Sequence, residues 1–243
     1  MLILTHDYPD PDSLASGKAL ATLLQETWGI SGRLVYSGLV ARAENQAMLK
    51  HLTPEWEHSD ELPDFQEYTA IAQVDTQPGA GNNRLNTILQ RHIVIDHHYP
   101  VRETVDNIAY ADIRTEMGST STMLFQYLAA AGIQPDPILA TAMFYGIKTD
   151  TRSLSRGASP ADETAFLEML HRLDQQELSR VELAGLSHEY FRSFSHGLLA
   201  TRLHGQVIVT RLGLMTQPDF AAEMADILIR LQEVHAALCL GQH

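Results

Sequence analysis

The chain has 243 residues, 44% of them hydrophobic and 19% charged. That is enough for one large domain, or one plus a smaller piece, with a normal core, and too apolar for a disordered chain. A formal net charge of −13 argues against non-specific binding of long nucleic acid, which needs a basic footprint.

Short phosphorylated substrates stay open, because carboxylates gathered around divalent cations invert the local field. A lone cysteine, Cys239, excludes an internal disulfide framework and fits a reducing compartment, and its apolar neighbours make it a small core residue. Met1-Leu2-Ile3-Leu4 is too short for a signal peptide and lacks a basic region. No run approaches the ~18–20 apolar residues of a membrane span, so a cytoplasmic location is expected.

Leu2 to Leu4 reads as a short buried strand that breaks into a loop rich in proline and aspartate, Thr5 to Asp12. Ser13 is expected to cap the next helix, with Leu14, Leu20, Leu23 and Leu24 facing the sheet and Gly29 and Gly32 ending it. Arg33–Tyr36 follows as a strand and Ala43–Leu52 as a helix, then Tyr68–Val74 as a strand and Asn83–Arg91 as a helix. The central strand ends at Asp96. Strand then helix, repeated, predicts an α/β fold with a largely parallel sheet covered by helices.

Asn107–Ala111 is a further short strand, and Gly118-Ser119-Thr120-Ser121 opens a helix running through Ala131. Another helix spans about Pro137 to Gly146, before Ile147-Lys148-Thr149-Asp150-Thr151. Ser159-Pro160-Ala161-Asp162-Glu163 starts a helix that lasts to about Leu173, with proline at its first position and acids in its first turn. Gln175 to Leu199 is polar and helical, as a connector would be. Gly205–Leu212, Pro218–Leu231 and His235–Leu240 read as strand, helix and strand. That is too little for an independent domain, so the tail reads as the beginning of something longer; if the chain instead ends at His243, Val207–Val209 and Ala236–Leu240 need cover from the first domain or a second subunit in a homodimer.

Four acidic clusters each follow an apolar element: His6/Asp10/Asp12, Asp75, Asp96/His97/His98 and Asp150. In Val94-Ile95-Asp96-His97-His98 an apolar run meets three metal-ligand residues without a spacer. In a core each would cost about 1–3 kcal/mol unless satisfied, whereas the C-terminal end of a parallel strand faces the crevice where such sheets bind ligands. Neighbouring residues on a strand point to opposite faces, so the three cannot all hold one ion. Singly, Asp12 or Asp150 reads better as a helix cap. Together, carboxylates mixed with imidazoles suit manganese better than calcium, and without thiolates a structural zinc site is disfavoured. More carboxylates than one ion needs implies two ions, the usual device, at roughly 3.5–4 Å separation, for activating water against phosphorus.

His6-x-x-Pro9-Asp10-x-Asp12, Val74-Asp75-Thr76, Asp96-His97-His98 and Gly146-Ile147-Lys148-Thr149-Asp150-Thr151 resemble motifs one to four of the DHH phosphoesterase superfamily, in order, over roughly residues 1 to 190. That superfamily includes RecJ-type exonucleases, nano-RNases that also act on phosphoadenosine phosphate, exopolyphosphatases and family II pyrophosphatases. Ser13 stands where the family often has alanine or glycine, and Gly118-Ser119-Thr120-Ser121 is similar to its serine-rich helix start. The resemblance implies that His6, Asp10 and Asp75 hold one manganese ion and that Asp12, Asp75, His97 and Asp150 hold the other, with magnesium or cobalt as substitutes. Asp75 would bridge, and a hydroxide between the ions would be the nucleophile. Asp96 would orient an imidazole from behind the ligands, and His98 would face the substrate.

The resemblance also implies a catalytic domain over 1–174, a helical connector over 175–191 and, from 192 to 243, the start of a DHH-associated substrate domain. No Gly-Gly-Gly-His sequence, the glycine- and histidine-rich motif of that second domain, occurs in the chain, so either the second domain is incomplete, the favoured reading, or this member recognises substrate otherwise. Lys148, Arg152 and Arg156 are candidate phosphate contacts, with solvated loop charges as the competing reading.

The expected activity is hydrolysis of phosphoester bonds in short oligonucleotides or small nucleotides. An exopolyphosphatase or inorganic pyrophosphatase is the alternative, and the lysine- and arginine-rich motif of the pyrophosphatases is not seen. A catalytically silent metal- or nucleotide-binding regulatory module is disfavoured because every ligand position holds a competent residue. Neither long duplex DNA nor a membrane is an expected partner.

Overall fold

The computed structural model describes residues 1–59, 64, 67–85, 92–102, 108–217 and 219–242. Two compact units divide the chain: residues 1–40 with 44–183, and residues 41–43 with 184–243.

The first unit carries a six-stranded sheet in the order β3-β2-β1-β4-β5-β6, with every pairing parallel. Its strands are β1 (Leu2–Leu4), β2 (Arg33–Tyr36), β3 (Glu57–His58), β4 (Ile71–Val74), β5 (His92–Asp96) and β6 (Tyr110–Ile113). The helices are α1 (Pro11–Trp28), α2 (Ala43–His51, its first residue grouped with the second unit), α3 (Thr120–Ala130), α4 (Pro137–Asp150), α5 (Pro160–Leu170) and α6 (Gln175–Glu182). This is the expected α/β fold with a helix-covered parallel sheet. Strands β1 and β4 are buried along their whole length, which is why β1 reads as an unbroken apolar run and β4 as one interrupted only by the buried Gln73, whose side-chain amide donates to Asn83 Oδ1. Ile3, Ala72, Val74 and Ile95 face one way, into a core with Leu14, Leu20, Met123, Leu124 and Met143 of α1, α3 and α4. Leu2, Leu4 and Ile71 face the other way, with Val35 and Leu85. Strand order reverses between β1 and β4, and in open α/β sheets such a switch point opens a crevice beyond the strands' carboxyl ends.

Several element ends differ from expectation for identifiable reasons. Helix α1 begins at Pro11, not after Ser13, because Asp10 is its cap. Asp10 Oδ1 accepts from Ser13 N at 2.9 Å while Ser13 Oγ accepts from Asp10 N at 3.1 Å, a reciprocal box. Helix α4 continues four residues past Gly146 and makes Asp150 its last residue, so the fourth cluster sits on a helix end. Strand β6 is Tyr110–Ile113, later than the expected 107–111, and the two-residue β3 was not foreseen. The expected helix over 83–91 falls largely outside the described residues, and 83–85 are not helical.

In the second unit, α7 (His188–Ala200) and α8 (Phe220–Leu228) accompany a three-stranded sheet in the order β7 (Arg202–His204), β8 (Val207–Leu214), β9 (Ala236–Gln242). Strand β7 is antiparallel to β8, and β9 is parallel to it. Ile208, Leu212, Phe220, Met224, Leu228 and Val234 form its core, with Cys239 partly buried against them. On β9, Leu238 and Leu240 remain 53% and 58% exposed.

Candidate metal centre

Three of the four acidic clusters emerge from the carboxyl ends of β1, β4 and β5, and the fourth arrives on the last turn of α4. His6 follows β1 and places Nε2 3.6 Å from Asp75 Oδ2 and 3.7 Å from Asp10 Oδ1. Asp75 follows β4 in a left-handed conformation, φ 61°, which a non-glycine residue holds only where its surroundings impose it. Its side chain is wholly buried, and its other oxygen, Oδ1, lies 3.5 Å from His97 Nε2. His97 Nε2 is also 3.2 Å from Asp150 Oδ2 and 4.0 Å from Asp12 Oδ2. Among the described residues three overlapping groups of potential ligands result, each with its donor atoms within 4.8 Å of one another: His6/Asp10/Asp75, Asp12/His97/Asp150 and Asp75/His97/His98.

These residues fit divalent cations on grounds independent of the motifs. Asp75 Oδ2 and His97 Nε2 are buried and have no hydrogen-bond partner among the described residues, a costly state for a polar atom unless something else satisfies it. Donors that share one ion at about 2.0–2.2 Å stand about 3–4 Å apart, the spacing found between these imidazoles and carboxylates.

The protonation pattern carries the same message. Burial alone would pull His97 down, but Asp150, Asp75 and Asp12 push it up to about 12. His6 is raised as well, with Asp10 and Asp75 overriding burial. Burial and the neighbouring carboxylates of Asp75 and Asp150 lift Asp12 well above the usual range. Burial likewise lifts Asp150 to about 6 against the pull of His97, and Asp10 and Asp75 add to the rise. Asp75 goes the other way, as His6 and His97 overcome burial and hold it well below the usual range.

Two of the candidate ligands, His97 and Asp12, are held from behind. His97 Nδ1 donates to the Met117 carbonyl at 3.1 Å, which leaves Nε2 to face the carboxylates. Asp12 accepts Thr120 N at 2.6 Å on Oδ2 and Ser121 N at 2.9 Å on Oδ1, so its carboxylate sits on the first amides of α3, where a helix favours negative charge. Asp96 is wholly buried; Oδ1 lies 2.8 Å from His98 Nδ1 and Oδ2 accepts Gln77 Nε2 at 2.7 Å. The His98 side chain is half exposed, its Nδ1 turned inward. Its pKa is raised by the bond to Asp96, with Asp75 adding to it against burial.

The basic residues in and just after the fourth motif divide. Lys148 pairs with Glu182, and Arg156 donates to the Asp150 carbonyl at 2.8 Å. Arg152 is exposed and opens a run of three left-handed residues, Arg152, Ser153 and Leu154, with φ of 47°, 56° and 65°. Such a run is strained for residues other than glycine. Sequence reasoning did not single out Thr120, Gln77 or the Met117 carbonyl. The only hint was the helix start at Gly118-Ser119-Thr120-Ser121, whose amides invite a carboxylate.

Comparison with known proteins places this geometry. The model of the DHH family, N-terminal domain, matches residues 1–147. An uncharacterized protein of Methanocaldococcus jannaschii is 32% identical over 243 residues, a match covering 99% of this chain and 49% of that protein. The chain therefore spans about half the length of this curated relative. The crystal structure of an exopolyphosphatase-related protein from Bacteroides fragilis has the same fold, with a TM-score of 0.73 at 16% identity over 96% of this chain and 73% of that one.

Proposed function

The chain belongs to the DHH family, and from that premise we propose that its first unit is a manganese-dependent phosphoesterase acting on short oligonucleotides or small nucleotides. One observation carries the reading. The two oxygens of the buried Asp75 carboxylate face different partners, Oδ2 toward His6 and Oδ1 toward His97, as a bridge between two cation positions requires.

His6, Asp10 and Asp75 would hold one ion, and Asp12, Asp75, His97 and Asp150 the other. Bound there, two divalent ions would supply a water activated at neutral pH and neutralise charge gathering on the phosphoryl oxygens. The chain's own residues do the rest. Asp96, fixed by Gln77, keeps the His98 ring in place, so that its second nitrogen can meet the substrate and steady charge on the leaving oxygen. Of the three basic residues, Arg152 is the one we retain as a phosphate contact, because Lys148 and Arg156 already have partners. Residues 192–243 would belong to a substrate-recognising domain that follows a connector over 175–191 and the catalytic domain over 1–174. No helix among the described residues is long and apolar enough to cross a membrane.

The test is hydrolysis of phosphoadenosine phosphate, a dinucleotide, pyrophosphate and polyphosphate with manganese and with a chelator. Manganese-dependent cleavage of either nucleotide supports the proposal. Cleavage of pyrophosphate or polyphosphate alone would replace it with the exopolyphosphatase or pyrophosphatase reading. Binding without cleavage of any would leave a regulatory module.

A further inference from the structure

The segment Met117–Ser121 touches three of the residues assigned to the metal centre and is itself clamped from behind. Its Met117 carbonyl takes His97 Nδ1, and its Thr120 and Ser121 amides take the two oxygens of Asp12. Gly118 N donates at 2.8 Å to Asp162 Oδ2, an oxygen that also accepts Ser159 N at 2.7 Å and Ser159 Oγ at 2.6 Å. There is no slack at that clamp, since a Cβ on Gly118 would stand 2.6 Å from Thr151 Cγ2. Within this rigid frame one side chain reaches forward. The wholly buried Thr120 donates Oγ1–H to Asp75 Oδ1 at 2.9 Å.

We propose that Thr120 is a positioning residue of the metal centre, its hydroxyl fixing the plane of the Asp75 carboxylate so that one oxygen faces His6 and the other His97. The inference rests on the two-cation reading above. A carboxylate turns readily about its last bond, and the flanking imidazoles, 3.5 and 3.6 Å away, are too distant to lock it by hydrogen bonding. The Thr120 hydroxyl is the hydrogen-bond donor at normal distance to that carboxylate among the described residues. It arrives from a frame that also sets His97 and Asp12, so one element would register ligands of both ions.

Thr120→Val keeps the shape and the backbone amide that serves Asp12, and removes only the hydroxyl. Thr120→Ser restores the hydroxyl, and Thr120→Ala replaces the valine should that variant fail to fold. Manganese alone is titrated into each full-length, metal-free protein by calorimetry, and the thermal midpoint of each metal-free protein is measured beside it. The expected result is a 10–100-fold loss of manganese affinity in Thr120→Val, the usual effect of losing a group behind a ligand. Thr120→Ser should bind like wild type, and the metal-free midpoints should stay close together. Wild-type affinity in Thr120→Val, or equal losses in the valine and serine variants, would overturn the positioning role while leaving the metal centre standing. A wild-type protein that binds no manganese would overturn both.

Discussion

Gly146 of α4 lies so close to the first turn of α1 that a Cβ there would stand 3.0 Å from Asp12 Cα and 3.2 Å from Asp12 Oδ1. Ser121 Oγ would be closer still, at 2.9 Å. Three elements meet at this point, and the missing side chain lets α4 deliver Asp150 while Asp12 stays on the amides of α3.

Two effects compete in Gly146→Ala. Alanine in a helix interior gains about 1 kcal/mol over glycine, whereas overpacking a tight contact costs about 1–3 kcal/mol. The nearest atoms include backbone, which yields poorly, so the expected net result is destabilisation by about 1–2 kcal/mol in denaturant unfolding, with weaker manganese binding because Asp12 moves. A more stable variant with unchanged binding would mean that the approach of the helices is not needed.

Metal binding should release protons. His97, pushed up to about 12, and His6, also raised, hold protons at pH 7 that a cation must displace, and Asp150, lifted to about 6, joins them as the medium is acidified. Raising the pH removes those competitors, so affinity rises with pH and falls as the medium is acidified. Calorimetric titration of manganese in two buffers of different ionisation enthalpy should show net proton release at pH 7. Identical heats in the two buffers would contradict the cluster described above.

His92 opens β5 wholly buried, with neither ring nitrogen hydrogen-bonded among the described residues, and burial lowers its pKa to about 4. In the unfolded chain it takes a proton near pH 6.5, so between that value and about 4 the unfolded state binds more protons and folding is penalised. Its contribution is intact above pH 6.5 and lost as pH falls. At pH 5 the loss is at most about 2 kcal/mol. His92→Phe should therefore show a smaller drop in unfolding free energy from pH 7.5 to pH 5 than wild type, since the titrations at the metal centre are common to both. Parallel drops would show that His92 is protonated in the fold.

Much of the fold was legible because β1, β4 and β5 are short, mostly apolar runs with a histidine or an acid at or just past their carboxyl ends, and because parallel strands bring such ends to one edge. Element limits set by side-chain chemistry were less so. Asp10 and Ser13 cap reciprocally, and a sequence reading chose the serine. Helix α4 outlasts its apolar pattern because Lys148 and Thr149 stay in register with the turns before them, Thr149 Oγ1 bonding the Tyr145 and Gly146 carbonyls. Strand β7 escaped notice because its three residues are all exposed and carry no alternation. The groups behind the ligands were illegible for a plainer reason. Thr120 and Asp75 are 45 residues apart, Gly118 and Asp162 are 44 apart, and only the folded chain joins them. The two glycines, 118 and 146, look like ordinary helix punctuation until the neighbours that exclude a Cβ are known.

Asp75 and His98 should separate kinetically. Asp75→Asn is a cleaner substitution than alanine, because asparagine tolerates the left-handed backbone that Asp75 adopts and keeps its volume. It replaces one carboxylate oxygen with an amide nitrogen that cannot coordinate a cation, so one of the two positions loses its share of the bridge. His98→Ala leaves the carboxylates and His97 in place and removes a single group that meets charge on the substrate, a loss of about 10²–10³ in kcat by analogy with one oxyanion donor. The expected order at saturating manganese is wild type, then His98→Ala within that range, then Asp75→Asn lower still, with its manganese stoichiometry also reduced. Turnover by Asp75→Asn equal to wild type would remove the bridge from the mechanism, whatever the effect of His98→Ala.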